Sequence, residues 1–235
     1  MDPLVTCRRS ETVSTLVMDD GRMNVQSVAM LEALGAALDR AQADGTVVVL
    51  AGREGVFSAG FDLTVFQQGT REEKVRMLTL GARLTERLLS FPAPVVAACT
   101  GHAIAMGAFL VLSADIRFGV SDAPCKIATN EVAIGLTVPR FATEVCRQRL
   151  APSYFNRALL TAEPYDAAKA VTAGFLDELV PAAELAAQAH KTALALSKLS
   201  REHHVATKLR ARAPALAALR RAIEEDIAEW NARMG

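Results

Sequence analysis

The chain has 235 residues, of which 51% are hydrophobic and 22% are charged, and its 26 Lys and Arg residues balance 26 Asp and Glu residues. This length and composition allow a self-standing core and exclude a largely disordered protein. The zero net charge excludes a global field for nucleic acid or a membrane surface, so any anionic ligand has to be bound by a local group of charges.

Predicted strands and helices alternate in the first half of the chain. Apolar β-branched runs predict buried strands, and apolar residues at helical spacing predict helices. In chain order we expect a strand at 12–19, a helix capped by Ser27, a strand at 46–51, a helix at about 70–90, a strand at 94–99, a short helix at 106–113 and a strand at 115–120. The Gly-containing segment 52–60 is predicted to be a loop. The alternation predicts an α/β fold.

The second half of the chain is predicted to be mainly helical. The pattern indicates helices at 140–150, 152–161 and 166–173, a short strand at 176–180, and further helices from Pro181 to the end. No repeat with a period of about 20–50 residues is visible, and no low-complexity linker divides the sequence. We therefore expect one α/β core at residues 1–180 that contains the functional site, followed by a helical part at 181–235.

The apolar segments are too short for a signal peptide or a membrane span. The two longest uncharged apolar stretches, 88–99 and 103–114, are each about a dozen residues long. We expect a cytoplasmic protein that does not associate with a membrane. The cysteines form no CxxC pair and have no His at metal-ligand spacing, so we expect neither a zinc site nor a disulfide; they are Cys7, Cys99, Cys125 and Cys146.

Three segments place candidate chemical groups after predicted buried strands. The small residues of segment 57–63 allow a ligand to approach the main chain closely. Segment 100–108 leads into the short helix, whose first N–H groups can bind an oxyanion. Glu131 follows Asn130 in an apolar stretch, where burial would raise the pKa of its carboxyl group and suit it to move protons near neutral pH. Taken singly, the three segments also fit a tight turn, a helix start and an exposed loop glutamate.

Five segments in this order resemble the crotonase superfamily, the enoyl-CoA hydratase/isomerase family. They are Met23-Asn24-Val25, residues 57–63, residues 100–103 followed by Gly107, residues 114–117, and Asn130-Glu131 followed by Gly135. The resemblance covers nearly the whole chain, from Val13 to at least Val180. It implies a crotonase-like spiral of β-β-α units with a helical C-terminal extension at 181–235 that serves oligomerisation, and it implies a homotrimer or a dimer of trimers.

The resemblance also implies roles for individual residues. The substrate is an acyl-CoA thioester, whose carbonyl oxygen would be held by the backbone N–H groups of Phe61 and Met106 while Glu131 moves the proton. The residues implied for CoA binding are Ser58, Ala59, Gly60 and Arg22. No metal is implied, and no cofactor apart from the CoA that enters with the substrate.

The sequence departs from the hydratase pattern at Phe109, where hydratases carry their first catalytic glutamate, and it keeps only the second, Glu131. Larger residues, Ala105 and Met106, also replace two expected glycines. One carboxylate holds and activates water poorly, whereas moving a double bond from the 3,4 to the 2,3 position needs only one base. We therefore expect a 3-enoyl-CoA isomerase of fatty-acid metabolism. The alternatives are a 2-enoyl-CoA hydratase and, in another class, a non-catalytic acyl-CoA-binding protein.

A basic stretch between residues 198 and 221 raises a nucleic-acid-binding alternative. It has no aromatic RNA-binding signature beside it, so we expect a solvated face or a contact with CoA phosphates or a neighbouring subunit. Four residues assigned to the second long helix are candidates for the acyl pocket or an ordinary core face: Phe66, Met77, Leu80 and Leu84. We expect Asp62 to pin its loop by hydrogen bonding, and Trp230 to anchor a core or subunit contact.

Overall fold

A computed structural model describes residues 3–233. The strands in this range are β1 (Val5–Ser10), β2 (Val13–Met18), β3 (Val47–Ala51), β4 (Gly55–Ser58), β5 (Val95–Cys99), β6 (Gly101–Ile104), β7 (Ile116–Val120), β8 (Ile127–Ala128) and β9 (Glu178–Val180). The helices are α1 (Val28–Ala43), α2 (Leu63–Gln68), α3 (Arg71–Leu89), α4 (Met106–Leu112), α5 (Arg140–Arg149), α6 (Pro152–Thr161), α7 (Ala167–Ala173), α8 (Ala182–Leu196), α9 (Arg201–Ala211) and α10 (Ala213–Arg233), with a 3-10 helix at Glu131–Ile134.

A six-stranded sheet in the order β1-β2-β3-β5-β7-β9 forms the centre of the molecule. Only β1 runs antiparallel to its neighbour, and the other pairs are parallel. The apolar β-branched residues of β3 and β5 are buried on both faces, because separate hydrophobic clusters cover the two sides of the sheet. The predicted buried strands at 46–51, 94–99 and 115–120 are confirmed.

A second, parallel sheet in the order β4-β6-β8 lies beside the first. Each of its strands follows a strand of the large sheet in the chain, β4 after β3, β6 after β5 and β8 after β7, and helices follow each pair. This succession is the spiral of β-β-α units, so the expected crotonase-like α/β fold is confirmed.

The prediction of a loop at 52–60 is wrong, because Gly55–Ser58 form β4. The segment gains its strand conformation by parallel pairing with β6, a partner more than forty residues away. Its glycines suit that close pairing: a Cβ added at Gly101 would lie 2.0 Å from the Gly55 carbonyl oxygen. Composition alone indicates a turn there, and only the tertiary pairing favours a strand.

The helices after Pro181 pack on the core of their own chain. α8 covers one face of the large sheet with Leu185, Ala189 and Ala193, and α10 packs against α3 and α5. No helix of the described residues is both long and apolar enough to cross a membrane. The role of these helices in oligomerisation stays a prediction.

Part of the basic stretch is not a solvated face, which corrects that expectation. Lys208 is buried, and its Nζ lies 2.8 Å from a carboxylate oxygen of Asp115. Arg212 lies 2.8 Å from the other oxygen of the same carboxylate. These pairs attach α9 to the residue that precedes β7. They also compensate the buried charge of Lys208, which would be costly if it were unpaired. The four cysteines are free thiols.

Gly107 allows α4 to approach β4 closely, and this contact predicts a stability effect. A Cβ at Gly107 would lie 2.5 Å from the Ser58 carbonyl oxygen. Gly107→Ala is therefore expected to lower the free energy of unfolding by about 1–3 kcal/mol, measured by chemical denaturation. The matched control is Gly35→Ala in α1, where an added Cβ meets nothing within 4 Å; it should raise that free energy by about 0.5–1 kcal/mol. Equal effects of the two substitutions would contradict the close approach.

Candidate active site

The loop that follows β4 is held by buried polar side chains. The Asn24 side-chain amide donates to the carbonyl oxygens of Met18 and Phe57, at 3.0 and 3.2 Å. Ser58 Oγ donates to the Asn24 carbonyl oxygen at 2.7 Å and accepts from Gln26 Nε2 at 3.0 Å. The Ser58 side chain is thus engaged inside the protein, so the hydrogen bonds fix the course of the next residues.

Two backbone N–H groups lie where this loop meets the start of α4. Gly60 has φ +95°, and a Cβ there would lie 2.9 Å from the Ile104 carbonyl oxygen and 3.5 Å from the Met106 nitrogen. Among residues 3–233, neither the Phe61 N–H nor the Met106 N–H donates a hydrogen bond within the chain. Met106 opens α4, where the first N–H groups have no partner inside the helix. Both groups are available to an oxyanion.

Ala105 turns the chain into α4 with a backbone conformation that favours glycine. Its φ is +50° and its ψ is −118°, a combination that costs an L-residue about 1–3 kcal/mol. The Ala105 N–H donates to the Ala128 carbonyl oxygen at 2.8 Å, which fixes the turn against β8. The strained residue, Ala105, directly precedes Met106, so its backbone conformation sets the direction of the Met106 N–H.

Glu131 is the first residue of the 3-10 helix, and only 7% of it is exposed. Its Oε2 atom is buried and has no hydrogen-bond partner among the described residues. Burial disfavours the charged form and raises the pKa of Glu131 from 4.5 to about 7. The predicted effect of the apolar surroundings on this pKa is confirmed. A carboxyl group with this pKa can accept a proton and return it near neutral pH.

A cavity of about 200 Å³ brings these parts together. Phe61 and Ala105 line it from the two loops, and Asn130 and Glu131 line it from the start of the 3-10 helix. Phe109 faces the same cavity and is 1% exposed. Among the described residues that line it, Glu131 is the only one with an ionisable side chain.

The acyl-pocket candidates are only partly correct. Phe66 lines the cavity but lies on α2, a short helix that the sequence analysis did not predict. Met77 and Leu84 are buried in the main core instead, and on α3 it is Leu78 that faces the cavity. Trp230 packs against the core, as expected, and it also lines the cavity from α10, which the sequence did not predict. Apolar spacing on α3 cannot distinguish a core face from a pocket wall.

The other predicted site residues lie around the first loop. Ala59 lines the cavity, and its N–H donates to the Met23 carbonyl oxygen at 2.9 Å. Arg22, the residue before Met23, is exposed and lies outside the cavity lining. Asp62 caps α2 by accepting a hydrogen bond from the Thr64 N–H at 2.9 Å, as expected. Within residues 3–233 no group of three His, Cys, Asp or Glu side chains could hold a metal ion.

Comparison with known proteins identifies the family. The sequence model of the enoyl-CoA hydratase/isomerase family matches residues 8–232. The chain belongs to this family. As an enoyl-CoA hydratase/isomerase family member it is an enzyme of the lyase or isomerase type, which agrees with a cavity lined by the carboxyl group of Glu131.

Solved structures of similar proteins cover almost the whole chain. The enoyl-CoA hydratase EchA3 from Mycobacterium ulcerans is 43% identical, with a TM-score of 0.93 over 97% of this chain and 99% of that chain. An enoyl-CoA isomerase from Mycobacterium tuberculosis is 40% identical, with a TM-score of 0.92 over 97% of this chain and 100% of that chain. A second structure of that protein is named as a hydratase, EchA3. The names of these relatives therefore do not distinguish the two reactions.

Curated relatives match over a smaller part of their length. A Thermus thermophilus protein whose name is that of an enoyl-CoA hydratase is 32% identical to this chain. The alignment covers 76% of this chain and 71% of that protein. For a Bacillus subtilis relative the alignment covers 55% of that protein. The similarity therefore shows the family but does not distinguish hydration from isomerisation.

Proposed function

We propose that the protein isomerises 3-enoyl-CoA thioesters to 2-enoyl-CoA thioesters. The observation that carries this proposal is that one carboxyl group, Glu131, faces a cavity whose other described lining side chains are not ionisable. By the resemblance, Phe109 occupies the position at which hydratases of the family carry their first catalytic glutamate. A site with one base fits a proton transfer between two carbons of the same substrate.

The proposed reaction has two proton transfers. The Glu131 carboxylate takes a proton from the α carbon, and the electrons of that C–H bond pass into a dienolate whose negative charge lies largely on the thioester oxygen. The N–H groups of Phe61 and Met106 donate hydrogen bonds to this oxygen, and one such donor is typically worth about 2.7–4 kcal/mol. The protonated Glu131 then returns the proton to the γ carbon, which leaves the double bond in the 2,3 position.

Binding of the CoA part is proposed along the first loop. Ser58 and Gly60 are buried and shape this loop, so the partly exposed Ala59 would contact the adenine end, and the exposed Arg22 would pair with a phosphate. The mechanism requires no metal or further cofactor. We also propose a homotrimer or a dimer of trimers, which light scattering measures directly.

One observation favours hydration as a second candidate function. Asn130 Oδ1 is buried and has no hydrogen-bond partner among the described residues, and Asn130 lines the same cavity as Glu131. A water that donated to both side chains would be held between two acceptors. A protein that only binds acyl-CoA has less support, because the burial of Glu131 costs stability without serving binding.

The pH dependence of isomerisation follows from the raised pKa of Glu131. The base must be ionised before it can take a proton, so kcat/KM for a 3-enoyl-CoA should rise with pH, with the midpoint of the rise at about 7, and should level off above it. The measurement is a pH profile of kcat/KM with buffer controls for stability. A rise centred near pH 4.5, the value of an exposed glutamate, would contradict the role of the buried group.

The proposed function is tested with purified protein and two substrates. Absorbance of the conjugated thioester should increase with a 3-enoyl-CoA and decrease with a 2-enoyl-CoA if hydration occurs. We expect kcat/KM for isomerisation to exceed that for hydration by about 100-fold, the typical contribution of one acid or base group. Efficient hydration of the 2-enoyl-CoA by the wild-type protein would contradict the proposal and favour the Asn130 alternative.

A further inference from the structure

One wall of the cavity comes from the C-terminal helix. Trp230 on α10 lines the same cavity as Glu131, although it lies about a hundred residues further along the chain. Its ring packs edge-to-face on Phe141 with the centroids 6.4 Å apart, and Phe141 packs in the same way on Phe109 at 5.9 Å. Trp230 is therefore continuous with the aromatic wall that faces the glutamate.

Hydrogen bonds fix the position of Trp230. Asp226, one helical turn earlier, is 2% exposed. Its carboxylate accepts from the N–H groups of Arg140 and Phe141 at 3.1 and 2.8 Å, which caps the start of α5. The Arg140 side chain also pairs with Asp226 and Glu229. These contacts hold the C-terminal part of α10 against α5, so the indole ring is part of a fixed wall.

The cavity is small for a ligand site. Its volume of about 200 Å³ lies below the range of about 300–1,000 Å³ typical of small-molecule pockets. A small apolar space of this kind suits a short acyl chain better than a long one.

We propose that Trp230 ends the acyl pocket and is the residue that determines chain length, so that the preferred substrates are short-chain and not long-chain 3-enoyl-CoA thioesters. This inference rests on the proposed function, because it assigns the cavity beside Glu131 to the acyl chain. The cavity lining also includes Leu78 and Phe66, and apolar side chains of this kind discriminate acyl chains by size and not by charge.

The test compares chain lengths in the wild-type protein and in Trp230→Ala. With wild-type protein, kcat/KM for 3-hexenoyl-CoA should exceed that for 3-dodecenoyl-CoA by about tenfold or more, a difference that an apolar pocket can produce. Trp230→Ala should gain about tenfold on the dodecenoyl substrate and lose several-fold on the hexenoyl substrate. The conservative control, Trp230→Phe, should keep the wild-type preference because it retains a ring at the wall.

A binding measurement separates this inference from the proposed reaction. The dissociation constants of hexanoyl-CoA and dodecanoyl-CoA, measured by calorimetry, need no turnover, and thermal unfolding of each variant establishes that it is folded. If Trp230→Ala is unfolded, the chain-length preferences of the wild-type protein and of Trp230→Phe test the inference. A preference for the hexenoyl substrate in both proteins supports it, and equal use of both substrates by the wild-type protein contradicts it. If the protein does not isomerise 3-enoyl-CoA but binds hexanoyl-CoA more tightly than dodecanoyl-CoA in a way that depends on Trp230, the proposed reaction is overturned and the inference about Trp230 stands. Isomerisation with equal use of both chain lengths by the wild-type protein would overturn the inference.

Discussion

Replacement of Glu131 by Gln is expected to abolish isomerisation while leaving acyl-CoA binding nearly intact. The amide keeps the shape of the side chain but cannot accept the α proton, so kcat should fall by about 10³-fold, within the range for the loss of a general base. The measurement is the initial rate of conjugated-thioester formation. The dissociation constant of a saturated acyl-CoA is the control and should change little. Retention of about a tenth or more of the wild-type rate would show that another group is the base.

The same substitution should change stability in a pH-dependent way. The pKa of Glu131 is raised from 4.5 to about 7 by folding, so the unfolded chain loses this proton first as the pH rises. The protonated Glu131 side chain therefore adds to the free energy of unfolding at low pH, relative to its ionised form. This stabilisation is lost as the pH increases from 4.5 to about 7. Above that range the buried carboxylate costs about 3 kcal/mol. Glu131→Gln should then unfold at higher denaturant than the wild-type protein at about pH 8, with the difference absent at about pH 4.

Replacement of Phe109 by Glu is expected to shift the ratio of the two reactions toward hydration. The side chain lines the cavity that contains Glu131, so a carboxylate there could hold a water between two acceptors. We expect the ratio of hydration to isomerisation, measured with both substrates, to rise by about 10²-fold. Phe109→Leu is the matched control, because it removes the ring without adding a carboxylate and should leave the ratio unchanged.

Stability has to be measured separately for this variant. Phe109 is 1% exposed and packs edge-to-face on Phe141, so loss of the ring typically costs about 3–5 kcal/mol. A charge buried in its place adds a further penalty. A folded Phe109→Glu protein with no gain in hydration would contradict the assignment of the reaction to this position, and would direct attention to Met106 beside the thioester.

The central strands could be predicted from the sequence because their residue types are those of strands that are buried on both faces. The valines of β3 and β5 are apolar, β-branched and covered on both sides, and each of these conditions favours a strand. β4, β6 and β8 are short, and β4 and β6 contain Gly; their conformation depends on pairing with each other. Local residue preferences do not contain that information, so segment 52–60 was predicted to be a loop.

The site could be predicted in part for a similar reason. The order of the motifs indicated Phe61, Met106, Phe109 and Glu131, and the apolar residues around Glu131 predicted its raised pKa. Trp230 reaches the cavity because α10 packs against α3 and α5. The hydrogen bonds of Asp226 to the start of α5 join segments that are 85 residues apart. The choice of Leu78 over Met77 as a wall residue depends on the rotation of α3, which apolar spacing does not fix.

The fate of the α hydrogen tests most directly whether one carboxyl group moves the proton. A 3-enoyl-CoA labelled with deuterium at the α carbon is converted in a single turnover in ordinary water, and the product is analysed by mass spectrometry and NMR. If Glu131 both takes and returns the hydrogen, a measurable fraction of the deuterium should appear at the γ carbon. A 2-enoyl-CoA product whose γ carbon carries only solvent hydrogen, together with a Glu131→Gln variant that still isomerises at the wild-type rate, would contradict the account, because Glu131 would then neither remove nor deliver the proton.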